Sequence, residues 1–177
     1  MDRKCRDKPW SLYTHITRID EYLLKYKYPR NLTRVPRSIT KYNLFKGNEL
    51  RSLLLFGFMA FKSYLSKKYF DHFLLLVVAS HMIESYSINQ EDVQSIELLL
   101  DRFLRIFPVL YSSRHNVQCV HSLQHFPASV NDCGSSCNYS TFNFESFLGR
   151  IMCTEMYTIK RMFFILCRHA NGFNTWH

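Results

Sequence analysis

The sequence is poor in turn-forming residues and lacks long apolar runs. Its 177 residues include only 5 Gly and 5 Pro, which argues against a turn-rich β-sandwich and favours helices. The longest apolar runs, Leu53–Phe61 and Phe73–Ala79, are well short of the roughly 18–20 residues that span a bilayer. The sequence therefore predicts a mainly α protein whose apolar runs are buried helix cores, and no membrane partner.

A secretion signal is also missing. The first residues, MDRKCRDK, are charged where a signal peptide would carry an apolar segment. We therefore expect an intracellular protein, nuclear or cytoplasmic, that is not secreted. Its 6 cysteines would then be reduced thiols and not disulfides.

The common catalytic motifs are absent. The sequence contains no G-x-x-x-x-G-K-[ST] phosphate loop, no G-x-S-x-G elbow and no H-E-x-x-H helix. The sequence therefore gives no indication of a P-loop nucleotidase, an α/β-hydrolase esterase or a zinc protease. We expect no cofactor and no small-molecule ligand.

Apolar and aromatic residues are abundant, and they recur at helical spacing. Apolar residues make up 47% of the chain, far above a disordered composition. The clearest amphipathic stripe follows a possible Asn89–Asp92 cap. The stripe consists of Val93, Ile96, Leu100, Phe103 and Phe107. We predict a single helical domain of five or six helices over residues 12–170, after a flexible basic arm (1–11) and before a tail (171–177).

Prolines and polar clusters predict the helix boundaries. Pro29 should end the first helix, and residues 29–47 should be extended, so that Asn48 caps the second helix. Pro108 should break or kink the helix that follows Asn89, because proline lacks the N–H that a helix interior uses. Residues 127–142 should form a loop, and residues 144–168 a last helix.

Positive charge is concentrated near the N-terminus. Residues 1–50 hold 12 Lys and Arg against 5 Asp and Glu, whereas the rest holds 11 against 9. Such a segment can contact phosphates while its aromatic rings stack on bases; the alternative is an ordinary solvated basic connector. The candidate nucleic-acid-binding cations are Arg34, Arg37, Lys41, Lys46 and Arg51, interleaved with Tyr42 and Phe45.

A cluster of histidine and cysteine forms the nearest approach to a metal site. His121 and His125 are four residues apart, the spacing at which two imidazoles can share one ion, with Cys119, Cys133 and Cys137 nearby. The spacing matches no established zinc module. The alternative is that the histidines form hydrogen bonds in a packed corner and the cysteines act as small apolar residues.

Several segments together resemble one family. His121-x-Leu123-x-His125, then Gly134, then Asn138-x-Ser140-x-Phe142-x-Phe144-Glu145 follow one pattern. Upstream lie Pro36-Arg37-Ser38-Ile39, Phe45-Lys46-x-x-Glu49-x-Arg51 and Tyr69-x-x-His72-Phe73-x-x-Leu76. This arrangement resembles the C-terminal region of CACTA (En/Spm-type) transposases over roughly residues 17–149. Phe45 replaces a family tryptophan, and Cys119 stands where the family usually has Asn.

The resemblance implies an origin in a nuclease. CACTA transposases are thought to cut DNA with three acidic residues that hold two divalent ions, and Glu145 could be a vestige of the third. The alternative is that Glu145 only favours a helix N-terminus. The family's other two acidic residues belong to strands upstream of the PRS segment, where this chain has only Asp2, Asp7, Asp20 and Glu21. We therefore expect no nuclease activity.

Three hypotheses for function follow. The chain is a transposon-derived remnant without a fixed role, a non-specific nucleic-acid-binding module, or a helical protein-interaction module. The third would arise if helices such as Leu50–Leu65 kept an apolar face that once met a missing catalytic core. That face would promote self-association or pairing with a related transposase.

Overall fold

The protein is mainly helical and contains no strand within the part of the chain that the structure covers. The computed structural model describes residues 8–30, 32, 35–112, 115 and 118–136. Six α-helices lie in these residues. The prediction of a mainly α fold with five or six helices is therefore confirmed.

The chain divides into two compact units, with the boundary after Lys67. Its helices are, in chain order, α1 (Ile16–Lys25), α2 (Gly47–Ser52), α3 (Lys67–Ile83), α4 (Gln90–Tyr111), α5 (Gln118–His121) and α6 (Phe126–Cys133). Short 3-10 segments lie at Tyr13–His15, Ile39–Leu44, Phe58–Phe61 and Ser122–His125, and a π turn at Leu53–Gly57. The predicted last helix, 144–168, lies outside the described residues.

The first unit differs from its prediction in the segment that precedes α2. Residues 29–47 are not extended throughout, because Ile39–Leu44 forms a 3-10 helix capped by Ser38. Asn48 does not cap α2, which begins at Gly47 after Lys46. The carbonyl of Lys46 accepts from the N–H groups of Glu49 and Leu50 (3.0 and 3.1 Å), and this sets the earlier start.

The long apolar segment after α2 is packed inside the protein. Met59 is the one large apolar side chain of residues 50–65 that is clearly exposed, at 43%, whereas Leu53, Leu54 and Phe61 are at most 1% exposed. Leu50–Leu65 therefore does not keep the exposed apolar face that was expected of it. The burial of this segment gives no support to self-association. Val78 of α3 and Leu98 of α4 are 44% and 69% exposed, so self-association stays a prediction.

Gly57 allows close packing where the π turn meets the 3-10 segment. A Cβ built on it would lie 2.5 Å from Leu53 Cδ1 and 2.9 Å from Leu23 Cδ2. Both leucines are buried, so neither can swing into solvent. No pattern in the sequence indicates that Leu23 of α1 packs at this point.

We expect Gly57→Ala to destabilise the protein. Overpacking a core costs about 1–3 kcal/mol, whereas the higher helix propensity of Ala returns about 1 kcal/mol. The difference between these two effects is about 0–2 kcal/mol. We therefore expect a net loss in unfolding free energy of about 1 kcal/mol, measured by urea denaturation. Thr17→Ala, at an exposed position of α1, is the control. A Gly57→Ala protein as stable as the control would show that the two leucines can move aside.

The second unit begins with α3 and α4, whose termini show both local and non-local capping. Asn89 and Asp92 form the predicted reciprocal cap, with hydrogen bonds of 2.9 and 2.8 Å between each side chain and the other's N–H. The hydroxyls of Ser135 and Ser136 donate to the carbonyl of Ile83 at the end of α3, both at 3.4 Å. The cap of α4 is thus confirmed.

Two prolines behave differently from their predictions. Pro108 neither ends nor breaks α4, which continues to Tyr111. Its ring removes one N–H donor from the last turn, and the predicted kink stays a prediction. Pro127 lies in the first turn of α6 and is not followed by a loop. The missing N–H of proline is harmless there, because the first N–H groups of a helix have no intrahelical partner. Gly134 then ends α6 with φ of 77°.

Candidate functional site

An ion pair in the first unit joins two of the segments that carry the family resemblance. Arg37 belongs to the PRS segment and Glu49 to the F-K-x-x-E-x-R segment. The guanidinium Nε donates to Glu49 Oε1 at 2.7 Å, and Nη2 donates to Oε2 at 3.1 Å. This bidentate geometry is among the strongest forms of charge-assisted hydrogen bonding between side chains. The two segments therefore support each other in the fold.

The carboxylate of Glu49 is buried and fully engaged. Its side chain is 1% exposed, while that of Arg37 is 37% exposed. The backbone N–H of Arg37 also donates to Oε1 (3.2 Å), and that of Lys46 donates to Oε2 (2.8 Å). Burial alone would raise the pKa of Glu49, but the hydrogen bonds from Arg37 and Lys46 outweigh it and lower the pKa. The carboxylate is therefore charged at neutral pH.

A second carboxylate of this unit supports the 3-10 helix. Asp20 of α1 accepts from the N–H of Ile39 at 2.7 Å and from the hydroxyl of Ser38 at 2.8 Å. Ser38 Oγ in turn accepts from the N–H of Thr40. Sequence reasoning found no role for Asp20, because its partners are 18 and 19 residues away. The cap that Ser38 forms on the 3-10 helix is a local contact, whereas the bonds from Asp20 are not.

The predicted nucleic-acid-binding residues differ in how exposed they are. Lys41 and Lys46 are exposed, whereas Arg37 is held by Glu49. Phe45 is 2% exposed, so the interpretation that its ring stacks on bases is wrong: it packs into the core. Arg51 is half-buried, and Arg34 lies outside the described residues.

His121 and His125 both contact the side chain of Gln124. The amide nitrogen of Gln124 lies 3.0 Å from Nε2 of His121 and 3.0 Å from Nε2 of His125. A Gln amide nitrogen only donates, so both imidazole nitrogens are acceptors here. All three side chains are exposed, so the hydrogen bonds expected by the alternative are present, but they do not lie in a packed corner.

The cleft beside this histidine pair has a volume of about 400 Å³. It lies between α4 and the segment from α5 to the start of α6, all within the second unit. Its polar lining comes from Glu97, Asp101, Arg105, His121 and Gln124. Asp101 and Arg105 form an ion pair along α4, so these charges neutralise each other.

No third metal ligand is seen beside His121 and His125 in the part of the chain that the structure describes. Among the residues that the structure describes, no group of three or more His, Cys, Asp or Glu side chains is arranged to hold an ion. Cys133 is an exposed free thiol. Cys137 and the side chain of Cys119 lie outside what is described, so the His121–His125 site stays a prediction.

His72, from the Y-x-x-H-F segment, is a core residue of the second unit. It is 3% exposed, and its Nε2 lies 3.0 Å from the carbonyl oxygen of Phe103, to which it must donate. Its ring stacks on Phe103 with centroids 4.4 Å apart and an interplanar angle of 15°. Burial lowers the pKa of His72 to about 4, so the ring is neutral at physiological pH.

Comparison with known proteins leaves the family resemblance as a hypothesis. No protein-family model, curated protein or solved structure matches the chain. Glu145, the predicted vestigial carboxylate, lies outside the described residues. No helix in the described ranges is long and apolar enough to cross a membrane.

Proposed function

We propose that this chain is a transposon-derived remnant, resembling the C-terminal part of a CACTA-type transposase, that has no nuclease activity of its own and binds nucleic acid weakly and without sequence preference. The observation that supports the proposal is the pair formed by Arg37 and Glu49. Two segments of the family-like pattern are held together by it, which gives these residues a role in the fold. The pattern can therefore persist without catalysis.

The proposed lack of nuclease activity is supported by how two carboxylates of the first unit, those of Asp20 and Glu49, are used. A two-metal nuclease needs carboxylates that converge with free oxygens on the ions. Both oxygens of Asp20 accept hydrogen bonds from Ser38 and Ile39. Both oxygens of Glu49 accept from Arg37 and Lys46. These carboxylates are structural acceptors.

We expect that the purified protein neither nicks nor joins DNA in the presence of Mg²⁺ or Mn²⁺. A supercoiled plasmid assay, read as conversion to open circles, measures this directly. Glu145→Ala is the matched variant, because the family resemblance implies that Glu145 is what is left of a catalytic carboxylate. Metal-dependent nicking that disappears in Glu145→Ala would contradict the proposal.

Nucleic-acid binding is supported by the charge of the N-terminal segment and by the exposed lysines within it. The excess of 12 basic over 5 acidic residues in positions 1–50 attracts phosphates from a distance. Lys41 and Lys46 are exposed on either side of the turn that leads into α2. Contacts of this kind carry affinity but no sequence information.

The proposed binding should fall steeply as salt rises, because phosphate neutralisation releases condensed counterions. We expect the Lys41→Ala/Lys46→Ala variant to bind duplex DNA more weakly, with a slope of log affinity against log salt that is shallower by about 1–2 units. Fluorescence anisotropy at several salt concentrations measures both. Lys67→Ala, an exposed lysine outside the candidate set, is the control. A slope that is unchanged in the double variant would remove these lysines from the interface.

A further inference from the structure

One face of α1 combines exposed tyrosine with exposed positive charge. Tyr22 lies four residues after Arg18, three before Lys25 and four before Tyr26, which is the C-cap residue of α1. These spacings make side chains neighbours on a helix surface. We call these four residues the tyrosine face. Arg18, Tyr22 and Lys25 are exposed, and Tyr26 is half-buried. The opposite side of the helix is buried in the first unit through Ile16, Ile19 and Leu23.

The rings of this face contact one another in a row that starts at the half-buried Tyr28. Tyr26 packs edge-on against Tyr28 with centroids 4.9 Å apart, and the hydroxyl of Tyr28 is buried. Tyr22 stacks on Tyr26 with centroids 6.4 Å apart and an interplanar angle of 27°. Tyr22 is the outer ring and is 47% exposed. A ring held in this way has less freedom to lose when a flat ligand stacks on it.

The charges around these rings favour an anionic ligand. Arg18 and Lys25 border Tyr22, and the exposed Lys27 and Arg30 follow directly after the helix. The acidic residues of α1 are Asp20 and Glu21. Asp20 is bound to Ser38 and Ile39, which leaves Glu21, one turn before Lys25, as the exposed acid of this helix. By the same spacing Glu21 neighbours both Arg18 and Lys25. The surface therefore offers the ring of Tyr22 beside two cations and one acid, and the exposed Lys27 and Arg30 keep its net charge positive.

We propose that the tyrosine face is a binding site for single-stranded nucleic acid. An unpaired base would stack on the outer surface of Tyr22, and Arg18 and Lys25 would contact the phosphates on either side of that base. An aromatic ring flanked by cations is how sequence-tolerant single-strand sites are built. A duplex keeps its bases stacked on each other and offers this face only phosphates. The inference rests on the proposed binding of nucleic acid and adds that the preferred ligand is single-stranded.

The test compares a short labelled single strand with the same sequence as a duplex by fluorescence anisotropy at low salt. We expect the native chain to bind the single strand more tightly. Tyr22→Ala should weaken single-strand binding about tenfold, since one base stack is lost, and should leave duplex binding unchanged. Tyr22→Phe, which keeps the ring, should behave like the native chain. Lys41→Ala/Lys46→Ala should weaken both forms to a similar degree.

The outcomes separate the two proposals. Equal affinity for both strand forms together with no effect of Tyr22→Ala would overturn the tyrosine face and leave non-specific binding intact. Absence of binding to either form would overturn the proposed function and this inference with it.

A third measurement uses vesicles rich in phosphatidylserine. Tyr22-dependent binding to the vesicles without a preference for single strands would show that the face recognises a membrane surface, and would also overturn the inference.

Discussion

Arg37→Ala will destabilise the protein by about 2–3 kcal/mol in urea denaturation at neutral pH. The substitution leaves the carboxylate of Glu49 buried, at 1% exposure, without its counter-ion. Removing one partner of a buried pair costs about 3–5 kcal/mol. The expected value is lower, because the side chain of Arg37 is 37% exposed and water already screens part of the interaction. Two backbone N–H groups still donate to the carboxylate.

Glu49→Gln should cost less than Arg37→Ala, about 1–2 kcal/mol. The amide oxygen of glutamine still accepts a hydrogen bond, and the partly exposed guanidinium can be hydrated once its partner is neutral. The double variant Arg37→Ala/Glu49→Gln should be more stable than the sum of the single losses predicts, because the two residues act as a pair. Lys41→Ala, an exposed cation of the same unit, is the control. Equal losses in Arg37→Ala and Lys41→Ala would contradict this account.

The pH dependence of this pair has a definite sign. The folded state lowers the pKa of Glu49 below its ordinary value of 4.5. The unfolded chain therefore takes up the proton first on acidification, and the contribution of the pair is complete above that value and is lost as the pH falls through the folded pKa. The difference in stability between the native chain and Glu49→Gln should accordingly shrink below about pH 4.5.

Local signals allowed some elements to be predicted from the sequence. The cap formed by Asn89 and Asp92 spans three residues, and the buried stripe of α4 repeats at helical spacing. Such features depend on neighbours in the chain and can be read without the fold. Pro127 shows the limit of this approach: the same residue ends one segment or starts the next, and only the hydrogen bonding of the following turn decides.

Non-local contacts could not be predicted. Arg37 and Glu49 are 12 residues apart, and no periodicity identifies them as partners. The burial of Phe45 likewise depends on how the first unit closes around it, whereas its position among basic residues suggested an exposed ring. The switch from α2 to a π turn at Leu53 has no sequence signature that we recognise. The spacing of Tyr22 and Tyr26 is visible in the sequence, but the exposure of Tyr22 depends on which side of α1 packs into the first unit.

Acid will destabilise the second unit through His72, in a pH window above that of Glu49. The pKa of His72 falls from 6.5 in a free chain to about 4 in the fold, because burial penalises the charged ring. The unfolded chain therefore binds a proton at a pH where the folded protein does not. The stability contributed by neutral His72 is complete above about pH 6.5 and is lost as the pH falls towards 4.

The expected loss between pH 7 and pH 4.5 is about 2 kcal/mol. The structure gives the reason: Nε2–H donates to the carbonyl of Phe103, and the ring lies against Phe103, Phe107 and Tyr111. Within the described residues Nδ1, the atom that would take the proton, is buried and has no hydrogen-bond acceptor. An added charge would therefore face aromatic carbon with no counter-ion.

His72→Phe tests this account, because phenylalanine keeps the stacked ring and cannot take up a proton. We expect this variant to be less stable than the native chain at pH 7 by about 1 kcal/mol, the net value of one hydrogen bond. Its unfolding free energy should then change much less between pH 7 and pH 4.5. His121→Gln, at an exposed histidine, should keep the native pH dependence. If His72→Phe lost stability on acidification as steeply as the native chain, the acid sensitivity would have to come from another group, and His72 would be only a packing residue.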